Sequence, residues 1–153
     1  MSYTGAEGRQ ELLDATAEAA EAVGVGLAAV GAAYELVDDE TAERIERELF
    51  APVQAAYGRA KRGHAAFAAR HGMTGHAFPA APAPGAPSAG VRGFLEQAVE
   101  AAEHADDILS ELQDSLLPVT VGDPELRADL AAVRQRLAEV APHARELLRT
   151  LGR

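Results

Sequence analysis

A seven-residue apolar repeat constrains this chain more than any other feature. Leu13, Thr16, Ala20, Val23, Leu27, Val30, Tyr34 and Val37 recur at alternating spacings of three and four. Val91, Leu95, Ala98, Ala102, Ala105, Leu109, Leu112 and Leu116 do the same, and so do Leu126, Leu130, Val133, Leu137, Val140, Ala144, Leu147 and Leu151. That spacing lines one face of a packed helix. It implies an all-α fold, a four-helix bundle made of two long antiparallel helical hairpins joined by a Pro/Ala-rich linker. The 153 residues form a single domain in this reading, long enough to bury a core without staples.

Start and stop signals divide the chain. Thr4-Gly5-Ala6-Glu7 has the form of a capping box, so helix 1 is expected over 5–37. Asp38, Asp39 and Glu40 suit the positive end of a second helix over 39–71, kinked by Pro52 and stopped at Gly72. Pro79, Pro82, Pro84 and Pro87 among alanines mark 73–88 as an extended linker. At ~3.1 Å per residue such a segment can run the length of a bundle. It leaves open whether helix 3 begins where helix 2 stops or at the opposite end. Ser88 can cap helix 3, expected over 89–116 and ended by Pro118. Asp123-Pro124-Glu125 opens helix 4 over 124–151, with Pro142 bending it on its outer side.

The absence of cysteine excludes thiol catalysis, thiolate zinc sites and disulfides. A net charge of −10 disfavours DNA and anionic membranes as partners. The uncharged stretch from Ala22 to Tyr34 is shorter than the ~20 residues that span a bilayer, and the N-terminus lacks the basic start and apolar run of a signal peptide. An acidic cytoplasmic protein is expected. Glu139, His143 and Glu146, like Glu100, His104, Asp107 and Glu111, have the spacing of a ligand face. The Glu-x-x-His pairs of di-iron bundles are missing, so these read as solvated charged faces, with His143 bordering the core. No catalytic residue, cofactor or metal is expected.

Two surfaces remain as functional candidates. Helix 1 carries Ala17, Gly24 and Gly31 on one flank of its seam and Ala19, Gly26 and Ala33 on the other. Its outer positions Ala22, Val25, Ala28, Ala29 and Ala32 are apolar as well, and a helix apolar all round is normally buried all round. Each interior glycine costs ~1 kcal/mol relative to alanine, a cost that close packing would offset. The expected interface is Ala22, Val25, Gly26, Ala28, Ala29, Ala32 and Ala33. It implies a non-enzymatic interaction or scaffold protein that forms a homo-oligomer, in the simplest case a dimer, with contact to another protein as the alternative.

The second candidate is the far end of helix 2. No acid lies between Glu48 and Glu96, where five bases do. Tyr57, Arg59, Lys61, Arg62, His64, Arg70 and His71 are the candidate anion site, suited to an anionic small molecule or RNA. Two seams fit this helix. Either Val53, Ala56, Ala60, Gly63 and Phe67 face the core, or Val53, Tyr57, Ala60, His64 and Phe67 do, which turns His64 inward. Cations at a helix C-terminus also complement its dipole, which explains much of the pattern. Arg59-Ala-Lys-Arg-Gly-His64 has the Arg-x4-His form and in those six residues resembles the motif of HEPN ribonuclease bundles. The resemblance implies that Arg59 would hold a scissile phosphate and His64 would assist proton transfer. Ala60 departs from it, since that family commonly has a polar residue after the arginine.

Overall fold

The structure, a computed structural model, describes residues 5–82, 84–85 and 90–151, all of them helical, turn or irregular, with no strand among them. The elements are α1 (Gly5–Tyr34), α2 (Asp39–Ile45), a π-helical turn (Glu46–Phe50), α3 (Ala51–Arg70), α4 (Gly90–Asp114), α5 (Leu117–Thr120), α6 (Pro124–Leu137) and α7 (Val140–Leu151). The heptad positions supply the core. Leu13, Thr16, Ala20, Val23 and Val30 of α1 are buried, as are the inner positions from Leu95 to Leu112 on α4 and from Leu126 to Leu147 on α6 and α7. The repeat loses its grip only at helix ends, where Tyr34, Leu116 and Leu151 are exposed.

Pairs of touching residues give the directions of the helices. Thr16 meets His64 and Gly24 meets Tyr57, so α1 and α3 are antiparallel. Gly26 packs on Ala98 and Ala101, and Gly8 on Leu117 and Val121, so α1 is antiparallel to α4 as well. Arg59 pairs with Asp129 and Arg70 with Asp123, which runs α6 against α3. The end of α3 therefore sits beside the start of α6. The start of α4 lies at the other end, where Arg92 shares a surface hollow with Arg145 and Arg149 of α7. The linker travels the length of the molecule, and the bases at the two ends are not gathered together.

Several helix boundaries differ from expectation, each for a local reason. Helix 1 ends at Tyr34, and 35–37 form a turn before Asp38, whose carboxylate accepts from the Thr41 N–H at 2.8 Å to cap α2. Helix 3 stops at Asp114, because Leu116 takes a left-handed φ of 66° and Pro118 sits in the separate one-turn helix α5. Helix 4 is two helices. The turn at 138–139 lies just ahead of Pro142, which has no N–H for the Ala138 carbonyl. Asp123 caps α6 through the Leu126 N–H at 2.8 Å. Thr4 and Ser88, the expected caps of helices 1 and 3, lie outside the described residues. By length and composition the full 30-residue α1 could cross a bilayer, although 56% of its most apolar window is buried in the fold.

Pro52 does not simply kink helix 2. The π turn from Glu46 to Phe50 precedes it, with the Ala51 N–H reaching back to the Glu46 carbonyl, and such turns absorb a residue the α ladder cannot place. Pro52 also leaves the Glu48 carbonyl without its usual donor. His143 Nδ1 of α7 lies 2.8 Å from that carbonyl and supplies the missing hydrogen bond, which fixes its proton on Nδ1. His143 is thus a backbone repair across 95 residues of sequence. His143→Ala is expected to lower stability by about 1–3 kcal/mol, the cost of an unsatisfied half-buried carbonyl. The loss should shrink in a Pro52→Ala background, where a backbone N–H is restored, and denaturant titration of the four proteins measures that coupling.

Candidate functional site

The structure distributes the candidate interface of α1 over three neighbours. Gly26, Ala29 and Ala33 are buried within the chain, the two alanines completely, and Gly26 lies so close to α4 that a methyl would meet the Ala101 side chain at 3.3 Å and the Ala98 carbonyl at 3.6 Å. Ala22 is buried as well. On the α3 side, a methyl at Gly24 would sit 3.1 Å from the Tyr57 ring. The small residues of α1 therefore serve close approach inside one chain. The third neighbour is the linker. Phe78 packs against the core, Pro79 to Pro82 border Glu21, Gly24, Val25 and Tyr57, and Gly85 lies near Gln97 of α4. What α1 and the turn after it still show to solvent is a row of Val25, Ala28, Ala32 and Leu36, with Val25 and Leu36 each 48% exposed and the two alanines half-buried.

The candidate anion residues of α3 point in three directions. Tyr57 is half-buried against Gly24 with the Lys61 ammonium 4.1 Å over its ring centre, a cation–π contact. Arg59 and Arg62 face a groove of about 510 Å³ between α3 and α6, shared with Gln135, Arg136 and Glu139. Arg59 is paired with Asp129 and Arg136 with Glu139, while Arg62 lines the groove without an ion pair among the described residues. Asp129 sits so tightly on α3 that a methyl on Gly63 would come within 2.8 Å of its carboxylate, which accounts for a glycine in a buried seam position. Gly63 and His64 are both buried, so each proposed seam of helix 2 describes one of its faces.

Arg70 and His71 close on a single carboxylate. Arg70 grips Asp123 with two bonds of 2.8 Å, and His71 Nε2 lies 3.0 Å from the same group. Burial opposes the charge of Asp123, but the bonds from Arg70, the Leu126 N–H and His71 outweigh it and hold the carboxyl far below the usual carboxylate range. The dipole-matching base at the end of α3 thus meets the dipole-matching acid at the start of α6.

His64 is the one buried titratable side chain among the described residues, 1% exposed. Its Nδ1 lies 3.1 Å from the Thr16 hydroxyl oxygen, which donates its own proton to the Leu13 carbonyl at 2.8 Å. Its Nε2 accepts the His76 backbone N–H at 2.9 Å. The rings of His76 and Phe78 stand edge-on to it at 5.2 and 5.1 Å, and His76 Nε2 reaches Asp14 at 2.8 Å. Burial, and then the nearby His76, push the His64 imidazole down from its ordinary value. Both nitrogens are occupied. Arg59 faces α6 while His64 faces α1, so the Arg-x4-His pair does not converge on one substrate atom. Among the described residues no three His, Asp or Glu side chains are grouped to hold a metal.

No known protein family, curated protein or solved structure matches the chain. The HEPN resemblance therefore stands on its six residues alone. Sequence reasoning placed Asp123 as a helix cap and His143 at the border of the core, but missed the bonds that join them to Arg70 and Glu48, and it missed Asp14 and His76 and the polar role of Thr16 altogether.

Asp123→Ala is expected to cost about 2 kcal/mol, combining a lost helix cap with the orphaning of Arg70. Asp123→Asn keeps the cap and should lose less. Because the folded-state carboxyl is held below its unfolded value, this contribution is present at neutral pH and fades as pH falls below about 4. Thermal melts of the two variants between neutral pH and about pH 3 check both the ranking and the window.

Proposed function

We propose that the protein is a non-enzymatic interaction module, a four-helix bundle that self-associates through the exposed row on α1. The supporting observation is a change of character along that row. Asp14, Glu18 and Glu21 make its first half acidic, whereas Val25, Ala28, Ala32 and Leu36 make its second half uncharged. A second copy is the occupant argued for, because an isologous pairing of helices crossing near Ala28 sets Val25 of one copy against Ala32 of the other. Side chains this small let two helices approach to about 8 Å. In that pairing the acidic half of one helix runs toward Glu35, Asp38 and Asp39 of the other copy, so like charges repel at the rims and association should strengthen with salt. An enzymatic reading has less support, since His64 has no free nitrogen and Arg59 is paired with Asp129.

Light scattering or sedimentation across a dilution series tests the reading. The expected mass is twice the 16.0 kDa of one chain. Val25→Glu with Ala28→Glu should yield monomers whose melting temperature at low concentration changes little, since neither side chain packs against the core and surface changes of this kind stay within about 0.5 kcal/mol. A monomeric mass for the unmodified protein at every concentration, including high salt, would sink the proposal.

A further inference from the structure

We propose that His64 is an acid-released latch that holds the start of the linker, residues 73–78, across the groove between α1 and α3. The argument begins from proton inventory. The Thr16 hydroxyl spends its single proton on the Leu13 carbonyl, so its oxygen can only accept from His64, and the imidazole proton must sit on Nδ1. Nε2 is then bare, as the His76 N–H requires. Every polar group in the chain from Leu13 to His76 is satisfied by one arrangement, the neutral Nδ1–H imidazole. Adding a proton to Nε2 turns the acceptor into a donor and sets it against the His76 N–H. The hydrogen bond becomes a clash of two donors, and neither can turn to water while the ring is buried.

That bond is where the linker is fastened. Just upstream, the Met73 N–H bonds the Ala68 carbonyl at 2.8 Å and a methyl on Gly75 would rest on the His64 ring at 3.6 Å. Downstream, Phe78 stands on the same ring, and Pro79 to Pro82 follow along Gly24 and Tyr57. The titratable groups that face His64 are Asp14 on α1, which favours its cation, and His76 on the linker, which opposes it. Asp14 is already bonded to His76, so protonated His64 gains no direct partner. Relief comes by detaching the linker and admitting water to Nε2. The folded-state pKa of His64 lies below its unfolded value, so the latch is shut above about pH 6.5 and opens as pH falls beneath it. Nothing here depends on self-association: the latch is built on Thr16 and His64, and the row proposed for self-association meets the linker only at Val25.

Amide exchange of the full chain, read by mass spectrometry at about pH 7.5 and about pH 5 and corrected for intrinsic rates, tests the latch. Peptides covering 73–82 should lose about tenfold or more of their protection at the lower pH while α4 and α6 keep theirs. His64→Gln offers an uncharged acceptor at every pH and should abolish the response. His76→Asn keeps the backbone N–H, removes the second imidazole and should preserve the response. Equal protection of 73–82 at both pH values in the unmodified protein overturns the proposal. So does a response that survives His64→Gln but vanishes in His76→Asn, which would make the His76–Asp14 pair the trigger. If His64→Gln fails to fold, the ring nitrogens of the unmodified protein, followed by NMR, decide the matter. They must titrate together with the loss of protection, and a His64 that stays neutral throughout it rules the latch out.

Discussion

Close approach to α1 is the constraint on which the other contacts depend. This helix is touched by α3 at Gly24, by α4 at Gly26 and by the linker around Val25, so its small residues set the spacing of everything packed around it. Larger side chains at Gly24 or Gly26 would push Tyr57 or the α4 backbone outward. The seam residues Val23 and Val30 would then lose the density that makes their burial favourable. The glycines weaken α1 as an isolated helix and strengthen it as a central one.

Polar side chains in this core serve the backbone. Asp123 caps the first turn of α6, His143 answers the carbonyl that Pro52 orphans, and His64 receives the His76 N–H of the linker. Each stands where the regular ladder ends or breaks, and the two histidines reach there from other elements. Among the described residues no buried side-chain nitrogen or oxygen is left without a partner. Complete satisfaction makes such links specific, since any shift of register would strand a buried polar atom.

The heptad made the helical class and most of the core legible, because burial follows periodicity wherever a helix runs unbroken. It failed where the backbone itself decides. Pro52 and Pro142 mark breaks in the sequence, but whether a helix bends, inserts a π turn or stops depends on what lies opposite. At Pro52 that is His143, far away in the chain. The apolar outer face of α1 could not show that the chain's own linker runs beside it at Gly24 and Val25, since proline and alanine carry no sign of where they dock. The basic stretch of α3 read as one site because sequence lists neighbours along a helix. A helix turns about 100° per residue, and the same residues diverge toward α1, α6 and the α6 cap. Direction also decided the fate of His64, for which both seams were open.

The path of the linker carries a kinetic consequence. Helical proteins usually fold fast because most of their contacts are local. Here the chain returns to the far end before starting α4, so α1 finds α4, its second antiparallel neighbour, only after the whole first hairpin and the linker have been laid down. The joining contacts are remote as well, 95 residues apart for Glu48 with His143 and 106 for Arg44 with Thr150. The entropy of closing such loops is spent before those contacts reward it, though it grows only logarithmically with length. Each hairpin can gather on its own, but the common core waits for their meeting, which sets this molecule toward the slow end of its all-helical kind.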